Sequence, residues 1–98
     1  MDILISGTSE VTITGHIKTI EDYQKIKQTI NSLIEKGLKE LTLRIPDSLS
    51  MTSSVIGYLL KLVYENNISL SLFVCDDRLY NLLEVLNLAT VFNVKRIS

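Results

Sequence analysis

The sequence contains few of the residues that build disulfides, metal sites and nucleotide cradles. Cys75 is its only cysteine and His16 its only histidine, and it has no tryptophan. One cysteine cannot form a disulfide within the chain, and a metal site or a Cys/His nucleophile pair would need the fold to place at least one further soft or imidazole group next to His16. The sequence also lacks a glycine-rich phosphate loop and a Gly-Lys-Ser or Gly-Lys-Thr triplet. We therefore expect no metal, no cofactor and no catalytic residues, and we do not expect an enzyme.

An excess of positive charge is missing as well. Ten lysines and arginines face eleven aspartates and glutamates, which gives a formal net charge of −1. Such a balance offers no basic surface to nucleic acid or to an anionic membrane. No apolar run approaches the roughly 20 residues that cross a bilayer, and the first residues lack the basic start of a signal peptide. With an unpaired thiol, which suits a reducing compartment, these features favour a cytoplasmic protein without nucleic-acid partners or direct membrane insertion.

The patterns that are present alternate between strand and helix. The 98 residues, 46% of them hydrophobic, suit one domain over residues 1–98. Alternating apolar residues predict two strands on either side of a turn at residues 7–9, and Thr19 is a candidate N-cap of a helix from about Ile20. Gly37 is a natural helix stop, and Pro46 ends the strand that follows.

The second half repeats this alternation. A hydroxyl-rich segment, residues 47–54, leads into a second apolar helix that reaches Glu65, and residues 68–75 form the next strand. Asp76 and Asp77 cap a third helix, and residues 90–98 form a turn and a final edge strand. The order predicts an α/β fold with a mixed sheet of four to five strands. Three to four helices pack mainly on one face of the sheet, whose central strands are parallel.

This order resembles the plan of STAS domains, and three stretches carry the resemblance. The sharpest is residues 51–60, Met-Thr-Ser-Ser-Val-Ile-Gly-Tyr-Leu-Leu, against a family pattern of apolar-Asp-Ser-Ser-Gly-apolar-Gly and an apolar helix. Residues 13–17 are similar to the family's early turn, and residues 74–92 to its ending. Thr52 stands where the family usually has Asp, Val55 where it usually has its first Gly, and Arg44 near a common earlier Asp.

The resemblance implies a non-enzymatic anti-sigma-factor antagonist, a bacterial partner-switching regulator that binds a serine kinase or an anti-sigma-factor-like protein. It implies that the kinase phosphorylates Ser53. A phosphate at a helix start gains hydrogen bonds from free N–H groups, and its charge would oppose docking of the same surface. The candidate residues for the partner interface follow from this placement: Met51, Thr52, Ser53, Ser54, Tyr58 and Lys61.

Other interpretations of the same residues stay open. Thr52, Ser53 and Ser54 are also what an unmodified helix start prefers. Gly57 is interpreted as a close-packing residue between helix and sheet, and Tyr64 as a further side chain that could face a partner.

The chain could instead be a constitutive adaptor, such as the STAS subunit that binds the ATPase of a lipid-transport ABC complex, or a scaffold domain. A small-molecule sensor or an enzyme is a third alternative, although no set of acid, base and nucleophile supports catalysis. The sequence does not indicate an oligomeric state.

Overall fold

The structure is a computed structural model that describes residues 1–97, so Ser98, the last residue of the expected domain, lies outside the described residues. The described chain forms five strands and three helices. In chain order they are β1 (Asp2–Ser6), β2 (Glu10–Thr14), α1 (Ile20–Glu35), β3 (Glu40–Ile45), α2 (Ser53–Tyr64), β4 (Ser69–Val74), α3 (Asp77–Val85) and β5 (Val94–Arg96). This order confirms the predicted α/β fold.

All five strands belong to one mixed sheet in the order β1-β2-β3-β4-β5. β1 and β2 are an antiparallel hairpin, and β2 to β5 are parallel. A helix joins each parallel pair, and such crossovers are nearly always right-handed. Because strands that follow one another in the chain are also neighbours in the sheet, successive crossovers of the same hand place their helices on the same face.

Burial along the strands shows the same one-sided packing. Val11, Leu43 and Leu72 lie side by side in the parallel register, and all three are buried on the helix side. The next residue of each strand points to the opposite face: Thr12, Arg44 and Phe73 are also in register, but they remain only half-buried. The core therefore lies between the sheet and its three helices.

Arg44 organises the opposite face of the sheet. Its guanidinium forms an ion pair with Glu10 on β2 and lies 4.9 Å from the ring centroid of Phe73 on β4. A cation over an aromatic face is attracted by the negative potential of the ring. Arg44 thus links three neighbouring strands on the face without helices.

Local signals set the ends of α1 as predicted. The Thr19 side chain accepts a hydrogen bond from Asp22 N–H, and the Asp22 carboxylate accepts from the N–H groups of Lys18 and Thr19. These backbone hydrogen bonds favour the charged carboxylate and hold the pKa of Asp22 below its ordinary value. At the other end Gly37 has a φ of +100°, and Leu38 N–H reaches back to Leu33 C=O, as in a Schellman motif.

None of the helices within residues 1–97 has the length and apolar character needed to cross a membrane.

Candidate functional site

The candidate site lies where the carboxyl ends of the parallel strands meet. In a parallel sheet these ends share one edge, and the loops that follow them come together there. The edge carries the loops after β2, β3 and β4, and α2 begins there. The hydroxyl-rich segment predicted to lead into the second helix is therefore at this edge.

Two loops at this edge are tied together by hydrogen bonds. Gly15 N–H donates to the Asp47 carboxylate at 2.9 Å, and Ile17 N–H donates to the Ser48 hydroxyl at 3.1 Å. The Ser48 hydroxyl, which is buried, donates in turn to Ser50 C=O at 2.6 Å. Gly15 has a φ of +82°, in agreement with the turn expected there. These bonds fix the course of the chain just before α2.

The start of α2 presents Ser53 to solvent. Thr52 is the N-cap, and its side chain accepts a hydrogen bond from Val55 N–H at 3.3 Å. Ser53 is the first helical residue, and both Ser53 and Ser54 are exposed. The first turn of α2 contains no acidic residue. An anion at Ser53 would therefore meet the positive end of the helix dipole without competition from a carboxylate in that turn.

The structure separates the six interface candidates into two groups. Ser53, Ser54 and Lys61 are exposed, and Thr52 is half-buried as the cap. Met51 and Tyr58 are only 6% exposed and belong to the hydrophobic core. Neither of these two offers its side chain at the surface, so we leave both out of the proposed contact surface.

Gly57 corrects the interpretation made from the sequence. The sequence predicts that Gly57 lets α2 pack closely on the sheet, but Gly57 is exposed, and a Cβ atom built on it would meet nothing within 4 Å. The helix turns its other side, with Val55, Leu59 and Leu62, into the core. Packing within the described chain therefore does not explain a glycine in the middle of α2.

The exposed side of α2 forms a continuous strip, here called the α2 surface: Ser53, Ser54, Gly57, Lys61 and Tyr64. Tyr64, at the last turn, leaves 67% of its surface in contact with solvent. Lys61 is the only charged residue among the 12 residues of the helix. The strip therefore begins with small residues, carries almost no charge, and ends in an aromatic ring.

Tyr58 serves the contact between α1 and α2. Its hydroxyl donates to the side-chain oxygen of Asn31 at 2.6 Å, and its ring meets the ring of Tyr23 edge to face, with centroids 6.5 Å apart. Burial, with a smaller contribution from Tyr23, raises the pKa of Tyr58 to about 12. The sequence could not show this role, since the partners belong to another helix.

We expect Tyr58→Phe to destabilise the domain by about 1 kcal/mol at pH 8, because the hydrogen bond to Asn31 is lost. The raised pKa means that the folded state holds the Tyr58 proton more tightly than the unfolded chain does. The stability linked to this proton is therefore complete below about pH 10 and is lost as pH rises through about 12. Urea unfolding at pH 8 and pH 11 measures both effects, and Tyr64→Phe is the exposed control. A wild-type advantage over Tyr58→Phe that does not shrink at pH 11 would contradict this account.

Charged groups at the start of α3 are paired with one another. Asp76 caps the helix, accepts from Arg78 N–H at 2.8 Å and binds the Arg78 guanidinium. This side-chain hydrogen bond lowers the pKa of Asp76. Asp77 forms an ion pair with Arg96 of β5. Residues 1–97 include no group of three or more His, Cys, Asp or Glu side chains placed to hold a metal ion.

Comparison with known proteins does not assign the chain to a family. No protein-family model matches the chain, and no curated protein matches its sequence. The STAS resemblance of residues 51–60 therefore remains a hypothesis.

Proposed function

We propose that the chain is a non-enzymatic, cytoplasmic partner-binding domain of the anti-sigma-factor-antagonist type. In this proposal the α2 surface binds a serine kinase or an anti-sigma-factor-like protein, and phosphorylation of Ser53 controls the binding. The observation that carries the proposal is the position of Ser53, exposed at the first residue of α2 and at the head of a nearly uncharged strip. The resemblance of the sequence around it to STAS domains supplies the class of partner.

Gly57 supports a protein contact on this surface. Glycine inside a helix is about 1 kcal/mol less favourable than alanine, and no contact within the described chain offsets that cost. A glycine on an exposed helix face lets another backbone approach closely, because no side chain stands in the way. Tyr64 adds a large aromatic side chain of the kind that is enriched at protein interfaces. We infer that the partner lies over Gly57.

A phosphate on Ser53 would change this contact without changing the fold. The side chain is exposed, so modification requires no opening of the core. The phosphate adds about −1.5 to −2 charges at neutral pH. Docking would then require this charge to be desolvated. The one charged residue of the strip, Lys61, lies two helical turns away and so cannot neutralise it closely. A penalty of about 1.4 kcal/mol already lowers affinity tenfold, so a modest desolvation cost is enough for a switch.

A constitutive adaptor is the second candidate, and Thr52 and Val55 favour it. Both residues depart from the family pattern within two positions of Ser53, and the Thr52 side chain is already engaged as the cap of α2. The same strip would then bind the ATPase subunit of a transporter, or another scaffold partner, without a phosphorylation step. The two candidates share a surface and differ in whether the phosphate matters.

Phosphate mapping separates them. The wild-type domain, Ser53→Ala and Ser54→Ala are incubated with a cognate serine kinase, and the modified residue is located by mass spectrometry. We expect one phosphate on Ser53, absent from Ser53→Ala and retained by Ser54→Ala, and at least tenfold weaker partner binding by the phosphorylated form. Labelling that Ser53→Ala leaves intact contradicts the switch. Capture of an ATPase subunit with an affinity that Ser53→Asp does not alter supports the adaptor.

A further inference from the structure

The two outer strands of the sheet, β1 and β5, differ in how well they are protected from pairing with another chain. β5 has only three residues, two of which are Lys95 and Arg96. Short length and positive charge are common means of preventing an edge strand from pairing with another chain. β1 has five residues, with Ile3, Leu4 and Ile5 in a row, and contains neither lysine nor proline. Leu4 is 63% exposed and Ile5 46% exposed.

We propose that β1 pairs antiparallel with β1 of a second copy, about a two-fold axis at Leu4, so that two sheets join into one of ten strands. This register places Leu4 opposite Leu4, Ile3 opposite Ile5, and Asp2 opposite Ser6. No charge faces a like charge, and the apolar residues form cross-strand pairs, which are the units that stabilise a sheet. The strand is therefore complementary to itself, and this favours a second copy over an unrelated strand.

The register also extends the buried rows of the sheet. Ile3 lies beside Ile13 and Ile5 beside Val11, both of which are buried on the helix side. In the dimer, Ile3 of one copy meets Ile5 of the other, so these rows continue without interruption from one core into the next. Leu4, which lies beside Thr12 on the opposite face, meets its own copy across the axis. Pairing thus covers apolar surface on both faces.

A cleft beside β1 provides further contact area. It has a volume of about 620 Å³. Ile5, Leu33 and Leu38 form its apolar part, and the hairpin turn at residues 7–9 and residues 36, 37, 39 and 40, which include two lysines and a glutamate, complete its lining. Ile3 of the second copy, placed opposite Ile5, lies beside this cleft. A contact of one five-residue strand from each copy is small compared with the roughly 1,200 Å² or more that stable interfaces bury. We therefore expect a reversible dimer with a dissociation constant in the micromolar range.

This pairing is independent of the proposed function. α2 connects β3 and β4, whereas the pairing edge is β1. A dimer formed through β1 leaves both α2 surfaces free for partners. Loss of either property would leave the other intact.

Sedimentation equilibrium over a wide concentration range tests the dimer in the full chain. We expect the wild type to dimerise, and Leu4→Lys to weaken dimerisation at least tenfold because two lysines would meet at the axis. The matched control is Val85→Lys, since Val85 on α3 is an 80% exposed apolar residue far from β1 in the sequence. Circular dichroism verifies that both variants fold. A wild type that is monomeric throughout overturns the proposal, as does a dimer that Leu4→Lys leaves unchanged.

Crosslinking tests the register and does not depend on a disruptive variant. In a Cys75→Ser background, Leu4→Cys places two thiols across the axis, whereas Ser6→Cys pairs with Asp2 and lies about 14 Å along the strand from its own copy, at roughly 3.4 Å per residue. A short bis-maleimide should link Leu4→Cys into a dimer and leave Ser6→Cys largely monomeric. Equal crosslinking of both variants, or of neither, overturns this register.

Discussion

Replacing Gly57 with lysine is expected to weaken partner binding at least ~100-fold, or about 2.7 kcal/mol, without destabilising the free domain. The new side chain occupies open space, because a Cβ at this position meets nothing within 4 Å. Lysine is also a much better helix former than glycine, by up to about 1 kcal/mol. The free domain should therefore be as stable as the wild type or more so. In the complex, the same side chain would stand where the partner backbone approaches α2.

Titration calorimetry with the partner and urea unfolding of the free domain measure the two effects separately. Gln28→Lys is the matched control, since Gln28 is exposed on α1 and the change adds the same side chain to a different helix. The control should bind like the wild type. A Gly57→Lys domain that unfolds more easily would show that the glycine serves internal packing, and unchanged binding would show that the partner uses another surface.

The order of elements could be predicted from the sequence because its signals are local. Thr19 and Asp22 form their capping box three residues apart, and Gly37 ends α1 through bonds to the last turn of the same helix. Strand alternation likewise depends on neighbours in the chain, as in β3, where every second residue is buried. Such signals require no knowledge of the tertiary structure, and they define where elements begin and end.

The orientation of α2 could not be predicted in the same way. Its 12 residues carry one charge, and its outer face is marked only by small residues, Lys61 and Tyr64, so the sequence gives a weak signal for which side is covered. The sequence therefore predicts Tyr58 at the surface and Gly57 against the sheet, and the structure places both the other way. Met51 lies just before the N-cap, where an apolar residue commonly packs onto the first turns of the helix. Which side of a mostly apolar helix is covered depends on the neighbouring helix, here on Asn31 and Tyr23 of α1.

The hydrogen bonds between the loops at the candidate site could not be predicted from the sequence either. Gly15 and Asp47 are 32 residues apart in the chain, and Ile17 and Ser48 are 31 apart. Serines in a polar segment appear as generic helix starts, because a hydroxyl that bonds locally and one that bonds across the fold look identical in the sequence. The fold distinguishes them: Ser48 is 1% exposed, whereas Ser53 and Ser54 are exposed.

Replacing Ser48 with alanine is therefore expected to destabilise the domain by about 2 kcal/mol, since buried polar groups left without partners cost about 1–3 kcal/mol. With the hydroxyl removed, Ile17 N–H loses its acceptor and Ser50 C=O loses its donor. Urea unfolding with Ser50→Ala as the exposed control measures the difference, and a Ser48→Ala domain as stable as that control would contradict these bonds.

The lost bonds hold the segment that leads to α2. We therefore expect Ser48→Ala to weaken partner binding as well, even at urea concentrations at which the domain is still folded. The Ser50→Ala control should bind normally there, because it removes an exposed side chain and keeps the backbone carbonyl that Ser48 binds.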